Sequence, residues 1–263
     1  MTTASSRWAA ALHAWAIPDD ILKAAPESPW GFPPALFDAH EVPSSTPSRR
    51  RAVEVLPAGG SVLDVGVGAG AASLCLVPPA RQLVGVDESA EMLARFTAAA
   101  DAADVGVDVR AIRASWPEAA DQAGRSDVVV CHHVLYNVAD VVPFVRALTS
   151  AARRRVVVEL TAEHPQTALN PLWRHFHGLE RPTGPTADDA AAVLEELGIR
   201  PEVERFSGPR RQAEVDRKDL VAFARRRLCL PAERDPEVDA LLPENAGLPR
   251  RELACLWWSP GSA

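Results

Sequence analysis

The chain has 263 residues, 47% of them apolar, enough for one large domain, or a domain with appendages, around a sizeable core. Acidic residues outnumber basic ones, 35 to 28, a formal net charge of −7 and the opposite balance from that of a protein built to grip phosphate backbones. Cys75, Cys131, Cys229 and Cys255 lie far apart with no CxxC spacing, and three sit in apolar runs, which argues against a disulfide framework or a zinc site.

At the start of the chain Trp8, Ala11, Leu12 and Trp15 fall at helical spacing. His13 interrupts the alanine-rich stretch and the basic flank is thin, so this is an amphipathic helix rather than a signal peptide. No run approaches the ~18 uninterrupted apolar residues of a membrane span, so a soluble, cytoplasmic protein is expected. The prolines of residues 26–47 forbid a continuous helix, since each removes a donor and clashes with the preceding turn. Residues 1–45 therefore read as a helical and irregular arm, either a cap over a ligand pocket or an arm packed on the domain. A helix over residues 47–56 follows.

From Ser61 strands and helices alternate. Strands are expected at SVLDVG, RQLVGVD, VDVRAI, SDVVVC and RRVVVEL, with helices at AASLCLV, ESAEMLARFTAAA, residues 116–122 and residues 139–152. Glu88 and Glu91 suit the start of the second of these helices. Nearly continuous apolar runs are what strands covered on both faces need, and repeated βα units imply a parallel, doubly wound sheet with helices on both faces. After Leu160 the rhythm breaks into a polar stretch, residues 161–186, read as a lid-like insertion. A helix over residues 187–197, a strand at RPEVERF, a basic helix over residues 213–228 and a final strand at ELACLWWS complete an α/β chain of seven strands.

The segment Val62-Leu63-Asp64-Val65-Gly66-Val67-Gly68-Ala69-Gly70 runs a buried strand into three alternate glycines and then a helix. Such a turn lets a ligand approach the backbone with no Cβ in the way. Gly66-x-Gly68-x-x-Ala71 also satisfies the loose dinucleotide pattern. Asp64, however, lies inside the strand, where a carboxylate needs a cation or the loop amides. Asp87 ends the next strand, where an acid can accept from a ribose diol. The alternative is a buried acid satisfied by amides and a cap for the helix that follows Asp87.

Over residues 46–259 the chain resembles the class I S-adenosylmethionine-dependent methyltransferases, through Asp64-x-Gly66-x-Gly68-x-Gly70 and Asp87. The resemblance implies S-adenosyl-L-methionine as cofactor, a mostly parallel seven-stranded sheet ending in an antiparallel hairpin, and a methyltransferase domain over residues 46–263. It implies that Asp64 and the glycines lie along the methionine part of the cofactor, that Asp87, with Glu88 beside it, holds the ribose, and that Met92 packs near the adenine. Where many members carry a Gly-Asp pair after the third strand, this chain has Ser115-Trp116. Ser115 then accepts from the adenine amine and Trp116 stacks on the ring, or Trp116 is a core anchor. Cys131 and His132 match the position that lines the methyl-donor pocket.

The acceptor belongs at the carboxyl ends of the strands, near residues 131–137 and the stretch after Leu160. Transfer from a sulfonium mainly needs positioning and exclusion of water, and a base only for a hydroxyl or protonated amine. His133 and His164 are the candidate bases, with Tyr136 and Asn137 facing nearby, unless these histidines are structural. His164, His175 and His177 have no recognised metal-ligand spacing, so no metal is expected. Trp173 and Phe176 serve a lid over the acceptor or dock on the sheet. Arginine clusters at residues 49–51, 153–155, 210–211 and 225–227 raise RNA as an acceptor, but charge runs are more often solvated faces. Arg50 is a candidate for the cofactor carboxylate. The reading is a methyltransferase of a small-molecule acceptor, with no membrane partner, and the alternatives are an RNA methyltransferase or a non-catalytic binder of the same cofactor.

Overall fold

A computed structural model describes residues 2–30, 46–103, 106–208, 216–242 and 252–261. The parallel core runs from β1 (Ser61–Val65) through β2 (Gln82–Asp87), β3 (Asp108–Arg113) and β4 (Ser126–His132) to β5 (Ala152–Thr161). Strands β6 (Glu202–Ser207) and β7 (Glu252–Trp258) close the sheet. The order is β3-β2-β1-β4-β5-β7-β6, with β7 antiparallel to both of its neighbours. The expected seven strands and terminal hairpin are all present.

Side-chain alternation sorts the sheet into two faces. Leu63, Val65, Val129, Cys131, Val156, Val158 and Leu256 pack on one face against α1 (Ala4–His13), α7 (Val141–Ala151) and α9 (Ala187–Glu196). Val62, Val128, Val130, Val157 and Trp257 pack on the other, against α3 (Pro47–Val53) and α5 (Ala90–Ala102). Each fully buried Val or Leu contributes about 1.5–3 kcal/mol, so the central strands are the energetic spine. The edge strands β3 and β6 alternate or expose most of their residues, as a sheet covered only at its centre requires.

Several expected helices are shorter in the structure. Residues 116–119 are turns before α6 (Ala120–Ala123), and α4 spans only Ala71–Leu74. The basic helix, α10, starts at Arg217 and ends at Arg227; residues 213–215 lie outside the described residues, as do the Arg210-Arg211 pair and residues 31–45 of the arm. A second arm helix, α2 (Asp19–Ala24), was not foreseen.

The arm is built into the core. Trp8 is 1% exposed, stacks on Tyr136 at 5.7 Å and donates its indole N–H to the Val138 carbonyl. Glu196 of α9 accepts from Ser5 Oγ and from the first amides of α1. Further on, Trp15 donates to the Gly184 carbonyl, while Arg181 donates to the Trp15 and Ala16 carbonyls.

The insertion after β5 carries α8 (Asn170–His177), and the β6–β7 connection carries α10 and α11 (Asp235–Leu241). Leu172 and Trp173 join Ile17, Val221, Ala224, Leu228 and Val238 in a separate small core. Trp173 thus docks among helices, where the sequence alone suggested a lid or the sheet. Thr161 pairs with Leu253 and Ser207 with Glu252, so both connections leave from the same edge, the carboxyl edge of the parallel strands. Among the described residues no helix is long and apolar enough to cross a membrane.

Candidate active site

The glycine turn follows directly from β1, all five of whose residues are buried. Gly66, Gly68 and Gly70 take φ of 73°, 53° and 90°, the left-handed region where a Cβ is strained. Their surroundings differ. A Cβ on Gly66 would lie 2.3 Å from Val134 Cγ2, and one on Gly70 2.5 Å from Phe96 Cδ2, whereas one on Gly68 would meet nothing within 4 Å. Two of the glycines therefore serve packing. The middle one leaves a bare stretch of backbone facing outward, which is what close approach of a ligand needs.

Asp87 receives the Gly68 amide on Oδ2 and the Ser89 amide on Oδ1, each at 2.9 Å, and is half-buried. Ser89, not Asp87, is the cap of α5, its side chain accepting from the Met92 amide. The carboxylate therefore braces the turn and stands beside the bare glycine. Glu88 is exposed and Met92 half-buried in the first turn of α5.

Asp64 is 1% exposed. Its Oδ2 accepts from Ser73 Oγ at 2.7 Å, and its Oδ1 is buried with no partner. Burial raises its pKa to about 7, against the Ser73 hydroxyl and with the charge of Asp87 adding to the rise. The loop amides do not fully satisfy it. An orphaned carboxylate oxygen beside a bare turn fits a ligand that brings a cation or donor.

Ser115 is half-buried, and the Trp116 indole donates to the Phe144 carbonyl of α7 at 3.2 Å with its ring against the core. The structure thus gives Trp116 the anchor's contacts. Cys131 is fully buried, with its thiol pushed far up by burial. His132 pairs in register with Glu159 of β5, and its Nε2 is buried without a partner; burial pushes its pKa down.

His133 has φ 60°, a left-handed value that costs a residue with a side chain of order 1–3 kcal/mol. Its amide donates to the Glu159 carbonyl at 2.7 Å and its Nε2 lies 3.3 Å from Glu159 Oε1. Glu159 itself is 8% exposed, and its Oε2 accepts from Ser48 Oγ of α3. Burial would raise the pKa of Glu159, but His132, His133 and Ser48 outweigh it and hold the group at about 2. Neither Glu159 nor Ser48 was picked out in the sequence. The available signal was an acid inside the apolar run RRVVVEL, the same kind of signal that exposed Asp64.

Tyr136 and His164 belong to a file of rings. Tyr136 donates its hydroxyl to the Thr161 carbonyl at 2.6 Å, and burial pushes its pKa up. His164 stacks on Trp15 at 4.1 Å, meets Tyr136 edge-on at 5.2 Å and accepts the Gln166 amide on Nδ1. Burial, with Arg181 nearby, lowers its pKa to about 4. His175 bonds Glu237 and His177 the Leu228 carbonyl. Among the described residues no group of three potential ligands could hold a metal.

Members of three of the four basic clusters form ion pairs among the described residues. Arg50 and Arg51 meet Glu204, Arg155 meets Glu54, Arg154 meets Asp127, and Arg225 meets Glu27 and Asp235. Arg50, the candidate for a cofactor carboxylate, is thus engaged on β6. Its neighbour Arg49 donates to the Cys75 carbonyl, just past α4.

A mostly parallel seven-stranded sheet ending in an antiparallel pair, with a glycine turn after β1 and an acid after β2, is the arrangement that the resemblance to class I methyltransferases implied. Residues 62–155 match the family model described as a methyltransferase domain. No curated protein matches the sequence. Among solved structures, the YcgJ protein of Bacillus subtilis is 18% identical, with a TM-score of 0.51 over 80% of this chain and 96% of its own. A precorrin 8W decarboxylase from Methanobacterium thermoautotrophicum is 15% identical, with a TM-score of 0.51 over 93% of this chain and 100% of its own. A putative sarcosine dimethylglycine methyltransferase from Galdieria sulphuraria is 12% identical, with a TM-score of 0.53 over 82% and 83%. At these identities they show the fold.

Proposed function

We propose that this protein transfers the methyl group of S-adenosyl-L-methionine to a small-molecule acceptor. The observation that carries the reading is the turn over residues 66–70. Gly68 is open above its backbone, Asp87 braces it, and Asp64 Oδ1 is buried without a partner. Asp64 suits the ammonium of the methionine part and Asp87 the ribose diol, with Glu88, Met92, Ser115 and Trp116 toward the adenine end. Cys131 and His132 lie at the methyl-donor end. The cofactor supplies a sulfonium methyl; the chain must align the acceptor, exclude water and, where needed, take a proton.

Of the three candidate catalytic groups, His133 is the best placed. Its ring is 43% exposed at the carboxyl edge, while the Tyr136 hydroxyl and His164 Nδ1 are engaged elsewhere. A small acceptor is supported by the ion pairs that engage Arg50, Arg51, Arg154, Arg155 and Arg225 with acids of the chain itself. It is also in keeping with the sarcosine and precorrin in two neighbours' names. Residues 161–186 are proposed to cover the acceptor from the carboxyl edge, and residues 2–30 to brace that cover.

Isothermal titration tests the cofactor. S-adenosylmethionine and S-adenosylhomocysteine should bind and NADH should not; the reverse result would end the reading. Methyl-tritiated S-adenosylmethionine incubated with a small-molecule extract should then yield a labelled, extractable product.

A further inference from the structure

Glu159 is expensive where it stands. Its strand neighbours Val156, Val157 and Val158 are apolar and buried, and an ionised carboxylate among them persists only with partners on its oxygens. It has them: Ser48 on Oε2 and His133 Nε2 beside Oε1. The same residue also holds His133 by its backbone, through the amide that donates to the Glu159 carbonyl. Residue 159 thus fixes His133 twice, in a left-handed conformation that one hydrogen bond would hardly maintain. A packing role needs none of this.

The placement has a direction. Val134, next to His133, packs against Gly66, so the loop after β4 lies on the glycine turn. The Glu159 side chain is 10% exposed and that of His133 43%, so the buried partner orients and the accessible ring faces the edge where ligands arrive. With Nε2–H directed at Glu159, the lone pair of a neutral imidazole is on Nδ1.

We propose that Glu159 is a positioning residue that holds His133 as the proton acceptor for the methyl acceptor, which is therefore a hydroxyl or an amine. This rests on the methyltransferase reading. The O–H or N–H proton passes to His133 Nδ1 as the acceptor's lone pair bonds the methyl carbon. The carbon–sulfur bond breaks with its electron pair kept on sulfur, leaving S-adenosylhomocysteine and an imidazolium beside the Glu159 carboxylate. Ser48 keeps the other carboxylate oxygen from turning away.

Other titratable groups surround this pair. His132 lies beside it on β4, and Cys75, past α4, and Cys255 on β7 both feel the charge of Glu159. Burial pushes both thiols up to about 12, so neither competes as a base near neutrality. Arg49 of α3 faces Cys75.

Three measurements on the full chain test the proposal. In proton NMR with nitrogen-labelled histidine, the wild type should show a hydrogen-bonded Nε2–H signal that disappears in both H133Q and E159A. Its absence from the wild type, or its survival in E159A, overturns the contact. Label transfer from methyl-tritiated S-adenosylmethionine into a small-molecule extract should, in E159Q, fall about 10-fold at pH 7, and the loss should narrow toward pH 9 as acceptors ionise by themselves. S48A should show a smaller loss of the same shape. A loss equal at every pH, or no loss, reduces Glu159 to a structural residue and overturns the proposal. S-adenosylhomocysteine affinity, unchanged within about threefold in E159Q, separates the two claims. If the wild type fails to bind it, the methyltransferase reading falls, whereas binding without the His133 signal sinks only this inference.

Discussion

Two carboxylates lie near the carboxyl edge of one sheet, on the same face, two strands apart, and they behave in opposite ways. Asp64 on β1 has one hydroxyl for a partner and an orphaned oxygen, and its pKa stands at about 7. Glu159 on β5 has a hydroxyl and two histidines, and stands at about 2. Burial opposes charge in both, so the difference comes from neighbours. A buried acid whose oxygens already have partners can hold another residue in place. One left short is suited to receive a cation from outside.

The largest effect should come from the cover on the β5 side. Trp8→Ala removes a fully buried indole and its bond to Val138, and should cost about 3–5 kcal/mol in denaturant unfolding. A loss under 1 kcal/mol would show the arm to be dispensable and the two sides less unlike than drawn. On the β1 side, Asp87→Ala should weaken S-adenosylhomocysteine binding at least ~100-fold by titration calorimetry, about 2.7 kcal/mol, while leaving the protein folded.

The acids themselves should respond to pH with opposite signs. Glu159 is depressed, so its contribution is present above the ordinary carboxylate range and lost as pH falls from about 4.5 toward about 2. E159Q should therefore be less stable than wild type at pH 7, by roughly 2–3 kcal/mol, with the gap closing toward pH 3. Asp64 is raised, so the native state holds its proton longer than the unfolded chain, and stability falls as pH rises from about 3.8 to about 7. Asp64→Asn should flatten that fall in the melting temperature. At pH 6 the ammonium of S-adenosylhomocysteine should also expel the Asp64 proton, up to one per site, seen as buffer-dependent binding heat that Asp64→Asn abolishes.

The smallest effect concerns the turn. Gly68→Ala should cost about 1 kcal/mol of stability, since only its φ is strained, yet weaken the ligand about 10-fold. Gly66→Ala should lose both together through Val134.

The β1 side was legible in the sequence because its chemistry is local. A buried strand, three glycines and an acid at the next strand end fall within one βα unit, and the backbone alone dictates their places. The strands were legible for the same reason, as apolar runs of the right length. The β5 side depends on contacts between distant residues. Ser48 meets Glu159 across the fold, Trp8 meets Val138, and Trp15 meets Gly184, and no periodicity announces such pairs. The small helical core of Ile17, Trp173, Val221 and Val238 was hidden likewise, because its members come from three separate segments. His133 was found as a histidine after a strand, but its partner was passed over as part of an apolar run.

The place of β7 between β5 and β6 bears on how such a chain is made. As it leaves the ribosome, β6 emerges before β7, with which it pairs among the described residues, and β5 has one side bare until β7 arrives. Until then an unpaired, valine-rich ribbon is exposed to other nascent chains, and association during synthesis is the hazard this topology carries.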